Sequence, residues 1–328
     1  MGHGIMKGID KGVVHGDTWH RLTEYKTQDF PVKREQAIEV LDYPLEKRQL
    51  FRVDASGNKV AAQAWEIIRT DTDTPLAPHV GADFTVMNNR VLFDFIASTV
   101  LDEFPDIDIE SVGTLFGGAT AFVNLNVGEF VVNGDKSKSI SRLMYYNPLG
   151  KGKYKVCAHN VRVVCNNTLR MATNEAIASG LLHMVSHTKN AETNIKAAMG
   201  EILALRQSFL EEKELMEVLA KFGMTSTRIE KFFKEWLPID EKEATDRLKT
   251  RRANLIQGIM NQFESDQQLS AETAKSAYGL LNAITYWYDH EVPNRGNDKA
   301  SVAWDGIVGG RSDVKVEALY TLKQLALA

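Results

Sequence analysis

The stretch Ile107–Val164, IDIESVGTLFGGATAFVNLNVGEFVVNGDKSKSISRLMYYNPLGKGKYKVCAHNVRVV, decides how this chain reads. Its apolar residues alternate with a period near two, and its interruptions are turn formers: Gly117-Gly118, Asn133-Gly134-Asp135 and Pro148-Leu149-Gly150-Lys151-Gly152. The spacing predicts four strands, roughly 107–116, 119–127, 139–147 and 153–164. Connections this short join antiparallel neighbours, so the unit is a meander. Asn166-Asn167-Thr168 then offers a helix start ahead of Leu169, Met171 and Ala172. The predicted motif is an antiparallel β-meander running into a helix.

Upstream, Leu50–Val53 and Lys59–Arg69 flank Asp54-Ala55-Ser56-Gly57-Asn58 and predict a hairpin. Asn88 or Asn89 can cap a helix bearing Val91, Leu92, Phe95, Ile96, Val100 and Leu101, with Pro105 beyond its end. Downstream, the apolar period lengthens. Helices are predicted over 190–222, 225–237, 240–264, 270–290 and 312–327, with Pro238 and Pro293 as stops. A strand-rich half followed by a mainly helical half makes the class α+β. The division is expected near 185, giving a strand-rich core at 1–185 and a mainly helical region at 186–328.

The 328 residues hold 39 Lys and Arg against 43 Asp and Glu, with 44% apolar and 25% charged side chains. That composition excludes a wholly disordered chain and a strongly basic DNA packer. Two cysteines exclude a disulfide framework and a four-thiolate zinc site, and suit a reducing cytoplasm. The first twenty residues lack the apolar core of a signal peptide, and no apolar run is long enough to cross a bilayer, so a cytoplasmic location is expected. The charge is unevenly spread. Residues 1–110 carry net −7, residues 111–170 net +6 and residues 171–328 net −3. A positive block within an acidic chain is a candidate anion site, although lysines that guard a solvated strand surface give the same pattern.

Several machines are missing from the sequence. There is no Walker loop, since Gly152-Lys153 is followed by Tyr154 and Asn147 stands at the required upstream glycine; there is also no Gly-x-Ser-x-Gly elbow and no His-Glu-x-x-His. Cys157, His159 and Cys165 would share one face of a regular strand, a set that suits packing better than zinc. His183 and His187 would share a helix face, if a helix forms there. Asp71-Thr72-Asp73 and Asp106-Ile107-Asp108 read as solvated loop carboxylates rather than a magnesium site. Asn282, Thr285, Asp289 and His290 form a polar seam on an apolar helix, whose default role is hydrogen bonding to another element.

The basic meander carries the functional expectation. Lys151, Lys153 and Lys155 recur at every second position and share a sheet face, Arg162 falls on the other, Arg142 precedes them, and Tyr145, Tyr146 and Tyr154 are interleaved. Cations that follow phosphates, with aromatics that stack on bases, are how single-stranded nucleic acid is held. The same tyrosines could instead belong to the core.

Arg162–Leu169, Ser186–Asn190 and Gly279–His290, with Gly309–Lys315 near the end and Trp19-His20 near the start, resemble the phage/plasmid-like protein family, catalogued as a domain of unknown function. The resemblance covers nearly the whole chain, but glycines usual near the Trp-His pair are rearranged, so no role is carried over for that segment. It implies a phage or mobile-element setting and a cytoplasmic location, without an activity. A meander followed by a helix is, more distantly, similar to the core of single-strand annealing proteins of the Red-beta, RecT and Rad types. That likeness implies a basic groove for one strand and assembly into rings or filaments.

The resulting expectation is a phage or mobile-element recombination protein that binds and anneals single-stranded DNA without ATP, a homo-oligomer with no cofactor, no membrane and no metal ligands assigned. Arg142, Lys151, Lys153, Lys155 and Arg162 would neutralise phosphates, and Tyr145, Tyr146 or Tyr154 would stack on bases or shape the groove. Arg251, Arg252, Arg311 and Lys315 would form a second wall. One alternative is an accessory protein whose basic patch meets an acidic host or phage partner. The other is a metal-dependent hydrolase built from dispersed Asp and His residues.

Overall fold

A computed structural model describes residues 5–16, 25–149, 152–162, 167–170, 182–204, 206–240, 242–292 and 310–328. Within these ranges, 160–162, 167–170, 182–184, 198–204 and 206–210 are described by backbone alone. The chain begins with β1 (Gly12–His15), β2 (Lys26–Gln28) and α1 (Arg34–Leu41), followed by β3 (Leu45–Val53), β4 (Lys59–Arg69), β5 (Thr74–Val80) and α2 (Asn89–Ile96). The meander is β6 (Asp108–Leu115), β7 (Thr120–Val131), β8 (Lys138–Pro148) and β9 (Tyr154–Arg162). Short strands β10 (Asn167–Arg170) and β11 (Leu182–Val185) come next. The helices after them are α3 (Ala191–Ala204), α4 (Arg206–Lys221), α5 (Ser226–Trp236), α6 (Asp246–Ser265), α7 (Ala271–Ala274), α8 (Ala277–Tyr286) and α9 (Gly310–Leu327). The architecture is α+β, an antiparallel-rich sheet region followed by helices.

The large sheet has the order β10-β9-β8-β7-β6-β1-β2, and β11 adds to the same edge of β9 as β10. All its pairings are antiparallel except β1 with β2. The four meander strands fall where the alternation places them. Residues 167–170, expected to start a helix, instead form β10 against His159–Arg162 of β9. Asn167, Thr168 and Leu169 find their backbone partners across the sheet edge, which displaces the local capping preference; Met171 and Ala172 lie outside the described residues.

One face of the sheet is covered by α1 and α2. Ala37, Val40 and Leu41 of α1 and Leu92, Phe93 and Ile96 of α2 pack on Val112, Val123, Leu125, Leu143, Tyr145 and Val156. Asn88 caps α2 through its side chain, which accepts from the Arg90 N–H at 2.8 Å. Phe93 alone, buried among these side chains, contributes about 1.5–3 kcal/mol. Helix α3 adds Ala191 and Ile195 to this core. At the other end of the sheet, Gly12 and Gly113 are cross-strand partners, and a Cβ on either would collide with the ring of Tyr25, whose hydroxyl donates to the Thr114 carbonyl at 2.5 Å.

A second core is helical. Leu215, Leu219, Phe232, Phe233, Trp236, Ile259, Leu280, Ile284, Leu319 and Leu322 draw α4, α5, α6, α8 and α9 together. The β7–β8 connection reaches into it. Val132 is buried there, Asp135 accepts from the Tyr278 hydroxyl at 2.9 Å, the Ser270 N–H donates to the Gly134 carbonyl at 2.7 Å, and the Asn133 N–H donates to Glu217 at 2.9 Å. Gly134 has φ +82° and faces Thr273 so closely that a side chain has no room. This loop clasps the two cores together.

Candidate nucleic-acid interface

Register decides which side of the sheet each functional residue takes. Leu143 pairs with Ala158 and Tyr145 with Val156, whereas Arg142 pairs with His159, Met144 with Cys157 and Tyr146 with Lys155. The first set belongs to the core under α1 and α2. Tyr145 and Tyr154 are buried in it, and burial pushes both phenol pKa values well above their ordinary value. These two tyrosines therefore fill the core, and the expectation that they stack on bases is corrected.

The opposite face is polar and equally buried. A register shift between Ile109 and Ser111 in β6 marks an irregularity at Glu110, which ion-pairs through both carboxylate oxygens with the Arg142 guanidinium; both side chains are almost wholly buried. Arg142 is thus neutralised inside the protein and is withdrawn as a phosphate contact. Asn124 donates to the Ser111 hydroxyl at 3.0 Å on the neighbouring strands. Cys157 and His159 share this face, as the spacing predicted, while Cys165 lies outside the described residues. His159 is held neutral: burial, then the charges of Arg142 and Lys315, push its pKa well below the usual imidazole value.

Lys315 of α9 is 0% exposed and bonds Asp289 at 2.7 Å, so it too is an internal charge and not part of a basic wall. Asp289 belongs to the π-helical turn Trp287–Glu291 that continues α8. The polar seam of α8 is accordingly split. Asn282 donates to the Tyr278 carbonyl at 3.0 Å and Thr285 to the Asn282 carbonyl at 2.9 Å, while Asp289 reaches across to α9. Helices α8 and α9 both contact β10, which brings the helical half to this edge of the sheet.

The other basic residues of the helical half divide in the same way. Arg252 donates to the carbonyls of Leu237 and Phe233 at 2.9 and 3.0 Å, satisfying the C-terminus of α5. Arg311 donates to the carbonyls of Tyr288 and Val292 at 2.8 and 3.4 Å. Both are half-buried and hold backbone carbonyls, and Arg251 is exposed on α6.

Beside the β8–β9 connection the described side chains are less deeply buried. Lys153 is exposed, and half-buried Lys155 holds its ammonium 5.9 Å from the ring centre of half-buried Tyr146. Lys151 and the side chain of Arg162 lie outside the described residues. Among the described residues, Lys153 and Arg251 are exposed, Lys155, Arg252 and Arg311 are half-buried, and Arg142, Tyr145, Tyr154 and Lys315 are buried.

Two motifs resolve into structure. His187 follows β11 and is not on a helix, nor is His183; its ring stacks on Phe84 at 4.6 Å and lies 4.0 Å from Tyr154 between centroids. Burial lowers its pKa to about 4. Asp71 accepts two hydrogen bonds from buried Arg69, at 2.8 and 3.1 Å, which hold its carboxyl below the ordinary value. Arg69 also lies over the ring of Tyr43 at 4.3 Å. Among the described residues no group of three or more His, Cys, Asp or Glu side chains could hold a metal ion. Nor is any helix there long and apolar enough to cross a membrane.

The partner of Arg142 was the residue that the sequence did not single out. Glu110 interrupts the apolar positions Ile109 and Val112, and a carboxylate so placed is the available signal of an internal ion pair.

The sheet, its helical cover and the internal ion pairs define an α+β protein with two cores joined along one sheet edge and by a loop. The chain belongs to the family described as a domain of unknown function (DUF932), whose model matches residues 78–305. No curated protein and no solved structure matches it.

Proposed function

We propose that this protein binds single-stranded DNA at the β8–β9 rim and promotes annealing without ATP hydrolysis, in a phage or mobile-element setting. The observation that carries the reading is the Lys155–Tyr146 pair, a cation beside an aromatic ring within the most basic segment of an acidic chain. Lys153, two residues away, adds an exposed charge, and Lys151 precedes both in the sequence. In this reading the lysines follow phosphates and Tyr146 offers its ring to a base. Arg142, Tyr145, Tyr154, Arg252, Arg311 and Lys315 maintain the scaffold.

The test is fluorescence anisotropy with labelled single strands over a range of salt, followed by pairing of complementary oligonucleotides in chelator. Three phosphate contacts at a slope of about −0.7 each predict that replacing Lys151, Lys153 and Lys155 by Ala lowers the salt slope by roughly two units. An unchanged slope would remove the site. Salt-sensitive capture of an acidic protein with negligible oligonucleotide binding would favour the accessory-protein alternative, and turnover abolished by chelator the hydrolase.

A further inference from the structure

Strands β3, β4 and β5 form their own sheet in that order, leaving β3 with an open outer edge among the described residues. The pairing of β4 with β5 stops at Trp65 and Val80. Beyond it the β3–β4 register shifts between Gln49 and Phe51, with Leu50 alone against Ala62–Ala64, so that the extra residues lie in β4. Phe51–Val53 then pair with Lys59–Ala61 as a two-stranded arm. Its tip is an Asp54 turn, with the Ser56 and Asn58 N–H groups both donating to one carboxylate oxygen at 2.9 Å. Phe51 is 52% exposed and Val53 70% exposed. A two-stranded ribbon displaying apolar side chains is marginal in water and gains stability by adding a strand.

The other edges of both sheets are blunted. Strands β2, β10 and β11 have three or four residues each, and β5 carries Pro75 and Pro78. Strand β3 runs for nine residues without proline.

We propose that β3 pairs antiparallel with β3 of a second copy of this chain, across a two-fold axis at Gln49. The pleat allows only registers in which a residue and its partner have numbers of the same parity, because facing side chains must lie on one side of the sheet. Centring on Arg48 sets that arginine against itself. Centring on Leu50 sets Arg48 against Arg52 and Glu46 against Asp54. Centring on Gln49 pairs the whole strand, Leu45 with Val53, Glu46 with Arg52 and Lys47 with Phe51, so that the charged pair facing across the axis is opposite in sign and occurs twice. Of these three registers, only the last is free of like-charge pairs. The interface is isologous and closes at two copies.

The full chain is tested by sedimentation velocity over a concentration series, and by oxidative cross-linking of single-cysteine additions against the untreated and oxidised parent. Gln49→Cys should form a disulfide-linked dimer, since residues on the axis approach to about 5 Å. Phe51→Cys should not, since the two copies of that position are offset by four residues, roughly 13 Å. Arg52→Glu should weaken dimerisation about tenfold by making both charge pairs repulsive, and Glu46→Arg with Arg52→Glu should restore it. A monomer at every concentration, cross-linking at both positions or neither, or a dimer indifferent to Arg52→Glu would each overturn the pairing. None of these readouts involves nucleic acid, so the result is independent of the proposed function.

Discussion

At the residue scale, Arg142 and Glu110 govern the polar face of the sheet. A buried pair is costly to break because the survivor is left as an unpaired charge. Arg142→Ala is expected to lower unfolding stability by about 3–5 kcal/mol, read as a shift in urea midpoint, while Arg142→Met with Glu110→Leu recovers much of the loss. If Arg142→Ala leaves the midpoint unmoved, the pair is not structural. His187 makes a second prediction. Its pKa is about 4 when folded against an ordinary 6.5, so between these values the unfolded chain takes up a proton that the folded chain refuses. Its contribution is complete above pH 6.5 and disappears as the pH falls through 6.5 toward 4, about 3 kcal/mol in all. Replacing His187 by Phe keeps an aromatic ring between Phe84 and Tyr154, and the difference in stability between parent and variant should change with pH only inside that window. A difference constant from neutral pH to pH 4 would contradict the assignment.

At the element scale, what the sequence disclosed and what it hid have one cause. Alternation and turn residues placed β6 to β9, and Pro238 placed the end of α5, because those signals are local. Parity was not legible. Tyr145 and Tyr146 are adjacent and must face opposite ways, yet only the pairing of Tyr145 with Val156 shows which one enters the core. The same pairing sends Lys155 to the side of Tyr146 and Arg142 to the side of His159. A meander with one wet face makes every second polar residue a surface residue, which is how Arg142 reads in the sequence. Here both faces are covered, so an arginine in β8 had to be matched internally. Strand β5 was not assigned from the sequence; it carries Pro75 and Pro78, both tolerated on an edge. The helix expected at Asn167 lost to β10 for the converse reason, a nonlocal partner that no local pattern announces.

At the scale of the whole molecule, the sheet core and the helical core are coupled through the loop Val132–Ser137. Tyr278→Phe removes the buried hydrogen bond to Asp135 and is expected to cost about 1–3 kcal/mol, since the carboxylate oxygen loses a partner. Gly134→Ala should cost more, because its φ of +82° and the closeness of Thr273 both resist a side chain. If the loop is the clasp, near-ultraviolet and far-ultraviolet melts that coincide in the parent should separate in Gly134→Ala. Coincident melts in the variant would show that the cores are joined mainly elsewhere.

That clasp also sets an order on synthesis. Asp135 and Tyr278 are 143 residues apart, so at about 5–20 residues per second a translating ribosome needs roughly 7–30 s to deliver the tyrosine after the aspartate. Throughout that interval the nascent meander holds Val132 bare at its tip, a sticky handle that chaperones could grasp and that a transcript broken before codon 278 would never conceal.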